Sequence, residues 1–384
     1  ACTASAACGA HAGAAGCSAI IARHAKRAAG LMHAPRPPIR GRKLRFALAG
    51  CGRIAQSHFA AIAQHGTDAE LVAVCDPDAA ACATAVAATG AQGFASLGAM
   101  LAGAQADCAV LCTPSGLHPQ QVIEAARAGL DVMTEKPMAT RWSDGLAMVR
   151  ECDAAGVRLF VVKQNRRNRT LQLLKQAVAR GRFGRIYSVG VNVFWTRPQS
   201  YYDSADWRGT WEFDGGAFMN QASHYVDLLD WLIGPVESVM AYTGTLARAI
   251  EVEDTGVAAL KWRNGAMGTV NVTMLTWPKN LEGSITILGE RGSARVGGVA
   301  VNRIEHWQFA EPDPMDAQVD EASYHTTSVY GFGHPLYYEG VIRALREGGE
   351  PEIDGREGLK SLELLIAMYL SARDGRRVSL PLAY

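Results

Sequence analysis

The stretch that decides the fold runs from Leu44 to Ala55 and reads Leu-Arg-Phe-Ala-Leu-Ala-Gly-Cys-Gly-Arg-Ile-Ala. Its apolar first half predicts a strand, and Gly50 and Gly52 predict a tight turn into a helix. Glycines at such a turn let a pyrophosphate approach the helix N-terminus, and a small residue at position 55 lets the helix pack closely on the sheet. The stretch therefore predicts a dinucleotide-binding unit, with Arg53 and Ile54 on the cofactor side of the turn.

Asp76 follows the next predicted strand, Leu71 to Cys75. A carboxylate at this place accepts hydrogen bonds from the adenosine ribose hydroxyls and repels a 2′-phosphate, and no arginine follows it. The cofactor predicted from these residues is NAD rather than NADP. A purely structural glycine turn with a capping aspartate is the alternative.

Strands alternate with helices from Leu44 to Val162, which predicts a parallel sheet covered on both faces. After Lys163 the pattern changes to a helix at about 168–180, a long strand at 187–195, a helix at 217–233 and a series of strand-like runs. These runs lie near 236–244, 255–262, 266–275, 282–288 and 293–297, and helices near 335–347 and 356–373 close the chain. The predicted fold class is α/β: an N-terminal Rossmann domain over 44–163 and a C-terminal α/β domain over 164–384 with an open, mostly antiparallel sheet.

Composition excludes several classes of protein. The net charge is +1 and 48% of the residues are hydrophobic, so neither nucleic acid nor a membrane is expected as a partner. No apolar run reaches the length of a membrane span. The nine cysteines end at Cys152 and form no C-x-x-C pair, which favours reduced thiols over disulfides or a metal site and predicts a cytoplasmic protein.

The first 31 residues are dominated by alanine and glycine and contain no aromatic residue. We expect residues 1–43 to form a disordered extension and a Pro/Arg-rich connector, with translation starting at Met32. A targeting segment is the alternative.

The tripeptide Glu135-Lys136-Pro137 ends the predicted strand that begins at Leu130. A doubly wound sheet opens its ligand crevice at this end of its strands, and partial burial of a lysine there lowers its pKa toward a range useful for proton transfer. The loop Cys112–His118 ends the preceding strand and is expected to face the nicotinamide. Solvated charge and ordinary helix-start packing are the alternatives. The cofactor-binding residues predicted in all are Gly50, Gly52, Arg53, Ile54, Asp76, Thr113, Ser115, His118 and Glu135.

Asn220, His224 and Asp227 recur at i, i+4 and i+7, so they are expected on one face of the 217–233 helix. Cationic side chains also flank the predicted crevice, and arginine and lysine are the usual partners of phosphate and carboxylate. A core histidine and a solvated basic surface are the alternatives. The substrate-binding residues predicted in all are Lys136, Lys163, Asn165, Arg166, Arg208, Asn220, His224 and Asp227, and the hydroxyl-rich segment Tyr324–Gly331 is a weaker candidate for pyrophosphate contact.

Together, the glycine turn, the Glu-Lys-Pro tripeptide and the Gly-Gly…His-x-x-Asp helix resemble the glucose-fructose oxidoreductase/inositol dehydrogenase/rhizopine catabolism (Gfo/Idh/MocA) family over roughly 44–375. The resemblance implies that Lys136 and His224 form the catalytic pair. Many members carry an aspartate where this chain has Asn220, and this departure places more of the expected chemistry on Lys136.

Three segments, Trp207–Glu212, Phe218–Tyr225 and Val161–Arg166, resemble a narrower group within the family. These bacterial dehydrogenases oxidise the sugar 3-hydroxyl of UDP-N-acetylglucosaminuronic acid on the route to lipopolysaccharide O-antigen. The resemblance implies NAD, a UDP-sugar-acid substrate, a 3-keto product and a tetramer built through the open sheets. It leaves open whether NADH is reoxidised in place by a keto acid. Another sugar or inositol dehydrogenase, or a catalytically silent dinucleotide-binding regulator, are the alternatives.

Overall fold

The computed structural model describes residues 36–326 and 331–382. The alanine-rich extension up to residue 35 and the middle of the Tyr324–Gly331 segment lie outside these ranges. The connector from residue 36 is held against the body of the protein: Arg36 pairs with Asp131 at 2.8 Å, and the Ile39 amide donates to the Leu345 carbonyl at 3.0 Å.

The first sheet has six parallel strands in the order β3-β2-β1-β4-β5-β6, which is the order of a dinucleotide-binding Rossmann sheet. Because the strand order reverses between β1 and β4, the loops after these two strands diverge and leave a crevice. The strands are β1 Leu44–Ala49, β2 Ala69–Cys75, β3 Gln92–Phe94, β4 Cys108–Leu111, β5 Asp131–Thr134 and β6 Leu159–Val161. The accompanying helices are α1 Ala55–Gln64, α2 Ala79–Thr89, α3 Leu97–Gly103, α4 His118–Arg127 and α5 Trp142–Ala155.

The second sheet has eight strands in the order β13-β12-β11-β7-β10-β9-β8-β14. Its neighbours pair antiparallel except for β7 and β10, which run parallel. The strands are β7 Ile186–Phe194, β8 Val236–Gly244, β9 Thr255–Trp262, β10 Met267–Thr273, β11 Glu282–Gly289, β12 Gly292–Gly297, β13 Arg303–Phe309 and β14 Val378–Ser379. The helices of this half are α6 Arg169–Ala179, α7 Gln199–Tyr202, α8 Ser223–Ile233, α9 Val319–Ala322, α10 Gly333–Glu347 and α11 Gly355–Asp374. The predicted fold class is confirmed.

Two of the local differences from the sequence prediction lie in the second half of the chain. β13 was not predicted, because this edge strand places much of its surface in solvent and its apolar residues do not alternate regularly. The predicted helix 217–233 is in fact a π-helical turn, Ala217–Gln221, followed by α8. π-helical turns occur often at functional sites, since they shift the register of the side chains that follow.

One face of the second sheet is covered and the other is open. α11 packs on β8, and the inward-facing Leu260, Val270 and Ile285 are buried. α10 returns to the first half and packs on α1. Within the described ranges, no helix combines the length and apolarity that crossing a bilayer requires. The six described cysteines are free and buried, as the sequence predicted.

Candidate active site

The glycine turn after β1 has the shape that a dinucleotide requires. Gly50 has φ +90°, and a Cβ there would lie 2.8 Å from the Cys112 carbonyl, so only glycine fits between the two diverging loops. A Cβ on Gly52 would meet nothing within 4 Å, which shows that the outer side of the turn is open. Asp76 accepts a hydrogen bond from the Cys51 amide at 2.7 Å and stands beside this open side. These residues fit NAD.

The loop after β4 is held in place by His118. His118 is buried and its two ring nitrogens lie 2.9 Å from the Thr113 carbonyl and 3.0 Å from the Pro137 carbonyl. Both ring nitrogens of His118 thus face backbone carbonyls, and its contact with the cofactor stays a prediction. It ties the loop that carries Thr113 and Ser115 to the turn that carries Lys136.

Glu135 lies in a buried cluster with two histidines, and its contact with the cofactor stays a prediction. Its buried carboxylate lies 3.0 Å from Nε2 of His58 and 3.4 Å from Nε2 of His334, and it accepts from the Lys136 amide at 3.0 Å. Burial alone raises the pKa of Glu135, but the bonds from the two histidines outweigh it and hold that pKa well below its usual range. These three side chains have metal-ligand chemistry, with ligand atoms within 4.8 Å of one another. The Glu135 carboxylate is bonded to His58 of α1, to His334 of α10 and to the Lys136 amide. The cluster therefore fastens α1 and α10 to the Lys136 turn.

Lys136 lies half-buried at the end of β5, and its amine points to the π-helical turn. Nζ donates to the Asn220 backbone oxygen at 3.1 Å and lies 3.5 Å from the Asn220 Oδ1. Burial lowers the pKa of Lys136, while the charges of Glu135 and Asp214 act in the opposite direction. An amine with a lowered pKa in a crevice is suited to accept and return a proton.

His224 lies beside this amine and is 6% exposed. Its Nε2 accepts from the side-chain amide of Gln164 at 3.1 Å, and its Nδ1 has no partner among the described residues. Burial, reinforced by the positive charges of Lys136 and Lys163, holds the pKa of His224 well below its usual range. The imidazole is therefore neutral near pH 7 and a weaker base than Lys136.

Three of the predicted substrate-binding residues are engaged with one another. Arg166 forms a two-pronged pair with Asp227, with both distances 2.7 Å, and a further contact of 3.0 Å with Glu357. Lys163 lies 3.6 Å from Asp227 and donates to Ser361 at 2.6 Å. All of these charges are buried or half-buried and paired inside the protein, so the structure uses them to hold α8 against the edge of the first sheet.

The loop after β7 supplies two further cations near Lys136 and Asp214. The guanidinium of Arg208 stacks 4.5 Å from the Tyr201 ring and 4.4 Å from the Trp207 ring. Arg197 lies 5.4 Å from the same tyrosine ring, and its charge lowers the pKa of Lys136. Both arginines are half-buried. Sequence analysis predicted Arg208 but missed Arg197, whose only signal is its place among aromatic residues just after a long strand.

Two further residues near Lys136 were also missed. Gln164 is buried against His224, and its Oε1 has no partner among the described residues. Asp214 is buried and bonded to the side chain of Asn220. The predicted Asn165 is buried next to Gln164, and its carbonyl accepts from the Asn168 amide. Gln164 and Asp214 carry no recognisable spacing, because each reaches the site from a different loop.

A Rossmann sheet with an open glycine turn after β1 and a lysine of lowered pKa at the end of β5 defines a nicotinamide-dependent oxidoreductase. The chain belongs to the Gfo/Idh/MocA oxidoreductase family. Residues 44–163 match the family's NAD-binding Rossmann fold, and residues 175–380 match its C-terminal alpha/beta domain.

Solved and curated relatives agree with this assignment. The chain is 70% identical to the WlbA dehydrogenase from Bordetella pertussis, whose structure is a complex with NADH and UDP-GlcNAcA; the match covers 90% of this chain and 100% of the other, with a TM-score of 0.88. It is 29% identical to a D-apiose dehydrogenase from Paraburkholderia graminis, over 88% of this chain and 90% of that protein. It is 26% identical to an inositol 2-dehydrogenase from Rhizobium meliloti, over 88% of this chain and 99% of that protein.

Proposed function

We propose that this chain oxidises the sugar 3-hydroxyl of UDP-N-acetylglucosaminuronic acid to the 3-keto sugar, with NAD as the oxidant, on the route to the diacetamido-uronic acids of bacterial lipopolysaccharide O-antigen. The observation that carries the proposal is the half-buried Lys136 amine, which contacts Asn220 and whose charge acts on the neighbouring His224. The 70% identity to a dehydrogenase solved with NADH and UDP-GlcNAcA supports the choice of substrate.

The glycine turn, Asp76, Thr113 and Ser115 hold NAD in this proposal, and bound NAD supplies the hydride acceptor. Lys136 accepts the proton of the 3-hydroxyl as the C3–H bond breaks, so that the electron pair of the O–H bond forms the new carbonyl. His224, neutral and buried, donates a hydrogen bond to the substrate. Its unpartnered Nδ1 and the unpartnered Gln164 Oε1 are buried polar atoms that a sugar hydroxyl or amide can satisfy.

The acidic parts of the substrate require cations that are not already paired. Arg197 and Arg208 are half-buried and stacked on aromatic rings, which orients their guanidinium planes. One nitrogen of each already donates a hydrogen bond, to the Thr196 carbonyl and to the Tyr201 hydroxyl, but neither arginine pairs with a carboxylate among the described residues. We assign the diphosphate and the sugar carboxylate to this loop. The Arg166–Asp227 pair contributes indirectly by holding α8 in place.

A neutral sugar or polyol is the second candidate substrate, because the D-apiose and inositol dehydrogenases share the whole fold. A panel of UDP-GlcNAcA, UDP-GlcNAc, UDP-glucuronic acid, D-apiose and myo-inositol separates the two, with NADH absorbance as the readout. We expect the highest kcat/KM for UDP-GlcNAcA and about tenfold or greater loss when its carboxylate is absent. Faster turnover of either neutral compound would overturn the proposal. Adding 2-oxoglutarate in the same assay tests whether the bound NADH is reoxidised in place.

We also propose that residues 44–163 bind the cofactor and that residues 164–384 bind the substrate. The second range also forms a cytoplasmic homo-tetramer in this proposal, with the open sheet face as one of its interfaces.

The open sheet face carries four large exposed side chains. They are Tyr242, Val257, Met267 and Leu288, which are 65%, 43%, 63% and 44% exposed. Large apolar side chains exposed on a sheet face are typical of an interface. Light scattering on the parent and on Val257→Lys tests this: we expect a tetramer that the lysine splits. A monomeric parent would contradict it.

A further inference from the structure

Asp214 is a buried carboxylate next to the site to which the chemistry described above assigns no role. It lies near the end of the loop after β7, is 1% exposed, and its Oδ2 accepts from the Gly209 amide at 2.8 Å. Its Oδ1 accepts from the side-chain Nδ2 of Asn220. The loop backbone fixes one oxygen, so the other has a defined direction toward Asn220.

The contact with Asp214 determines which way the Asn220 amide faces. An ionised carboxylate only accepts hydrogen bonds, so Nδ2 must point to it and Oδ1 must point away. Oδ1 then lies 3.5 Å from the Lys136 amine, next to the backbone oxygen of Asn220 at 3.1 Å. Lys136 thus meets two oxygens of one residue, and the orientation of one of them depends on Asp214.

Charged groups of both signs act on Lys136, and two cations act on Asp214. Lys136 faces the anions Glu135 and Asp214 and the cations Lys163 and Arg197. The charge of Glu135 is already shared with two histidines. Asp214 faces Arg208 and Lys136, the Gly209 amide and the Asn220 side chain, and its burial raises its pKa to about 6. It is therefore ionised above about pH 6.

We propose that Asp214 is a positioning residue that orients the Asn220 amide toward Lys136 and thereby sets the pH at which Lys136 exchanges its proton. The inference rests on the proposed role of Lys136. Position 220 carries an asparagine and therefore no negative charge. Asp214 supplies that charge from the loop and acts on Lys136 through the Asn220 amide.

The test is the isosteric variant Asp214→Asn. Its amide can accept from Gly209 and donate to Asn220, which then turns its nitrogen toward Lys136. Loss of both the anion and the oxygen acceptor favours the neutral amine, so the pKa of Lys136 falls. Oxidation needs the neutral amine, so we expect the acid limb of the kcat profile to shift to lower pH by about 0.5–1 unit. The double variant Asp214→Asn/Asn220→Asp places the carboxylate at position 220, next to Lys136. We expect the acid limb of its kcat profile to return to the parent pH or to a higher pH.

A second readout does not depend on turnover. The Nζ resonance of Lys136 in the NAD complex, identified by its loss in Lys136→Met, reports the protonation of the amine directly by NMR. We expect it to titrate at lower pH in Asp214→Asn. Asn220→Asp alone, in which both carboxylates are present, is expected to move it to higher pH and provides the test if Asp214→Asn does not fold.

An unchanged titration in Asp214→Asn, or a kcat lowered equally at every pH, would show that Asp214 is only structural and would overturn the inference. Failure of the proposed role of Lys136 gives a different result. Lys136→Met then turns over at the parent rate, while the NMR titration still reports whether the protonation of Lys136 depends on Asp214.

Discussion

The amine of Lys136 and the backbone oxygen of Asn220 lie 3.1 Å apart and join the end of β5 in the first sheet to the π-helical turn before α8. One hydrogen bond thus connects the half that carries the glycine turn to the half that carries His224. The amine lies beside the crevice, and burial lowers its pKa. The catalytic predictions follow from this contact.

Replacing Lys136 with methionine is expected to lower kcat by about 10²–10⁴, the usual contribution of a general acid–base group. Methionine keeps most of the packing volume, so NAD affinity measured by calorimetry and the melting temperature should stay near the parent values. A parent-like kcat in this variant would remove Lys136 from the chemistry.

His224→Asn is expected to lower kcat by less than Lys136→Met does. The buried imidazole has a pKa well below its usual range, so near pH 7 it contributes hydrogen bonding rather than proton transfer. Single-turnover rates of the two variants, measured side by side at several pH values, compare them. If His224→Asn is inactive while Lys136→Met is active, the two roles are reversed.

Asp76 is expected to make the chain prefer NAD to NADP. Its carboxylate stands beside the open side of the glycine turn and repels a 2′-phosphate. Calorimetry should show tighter binding of NAD by the parent and a smaller preference in Asp76→Asn. Asp78→Asn is the matched control, because Asp78 caps α2 with its side chain and asparagine caps equally well. Equal binding of both cofactors by the parent would contradict the assignment.

Alanine substitutions at Arg166 and Arg208 are expected to change different properties. The first should lower the stability of the fold and the second should weaken substrate binding. Arg166→Ala leaves Asp227 buried without its main partner and should cost about 3–5 kcal/mol of unfolding free energy in urea. Arg208→Ala should raise the KM for the UDP-sugar acid about tenfold or more, with the unfolding free energy changed little. A stable Arg166→Ala with a raised KM would return Arg166 to the substrate site.

Glu253 is expected to make the fold less stable as pH rises. Burial raises its pKa from 4.5 to about 7, and its Oε2 has no partner among the described residues. The folded state therefore holds a proton that the unfolded chain has released, and stability falls by about 3 kcal/mol as pH rises through that window.

The variant Glu253→Gln removes this titration while keeping an acceptor for the Phe218 amide and the Tyr369 hydroxyl. Its melting temperature relative to the parent should rise between pH 5 and pH 8. The exposed Glu251→Gln is the control and should show no such trend. A constant difference across pH would show that Glu253 does not titrate in this range.

Much of the fold follows from local sequence. Alternating strands and helices up to Val162 predict a parallel sheet, because only a helical crossover joins neighbouring parallel strands over such distances. The glycine turn and Asp76 predict the cofactor for the same local reason. The parallel pairing of β7 with β10 has no local signal, since it joins strands far apart in sequence.

The site divides in the same way. The sequence by itself predicted Lys136, Asn220 and His224 as the residues of the chemistry, because residue type and spacing on one strand end and one helix are local properties. Only the tertiary structure decided what surrounds them: Arg166 is paired with Asp227, Glu135 with two histidines, and Asn220 with Asp214. Whether a charged side chain is free for a ligand depends on what faces it from distant segments, and burial makes an unpaired charge costly enough that the fold supplies a partner wherever it can.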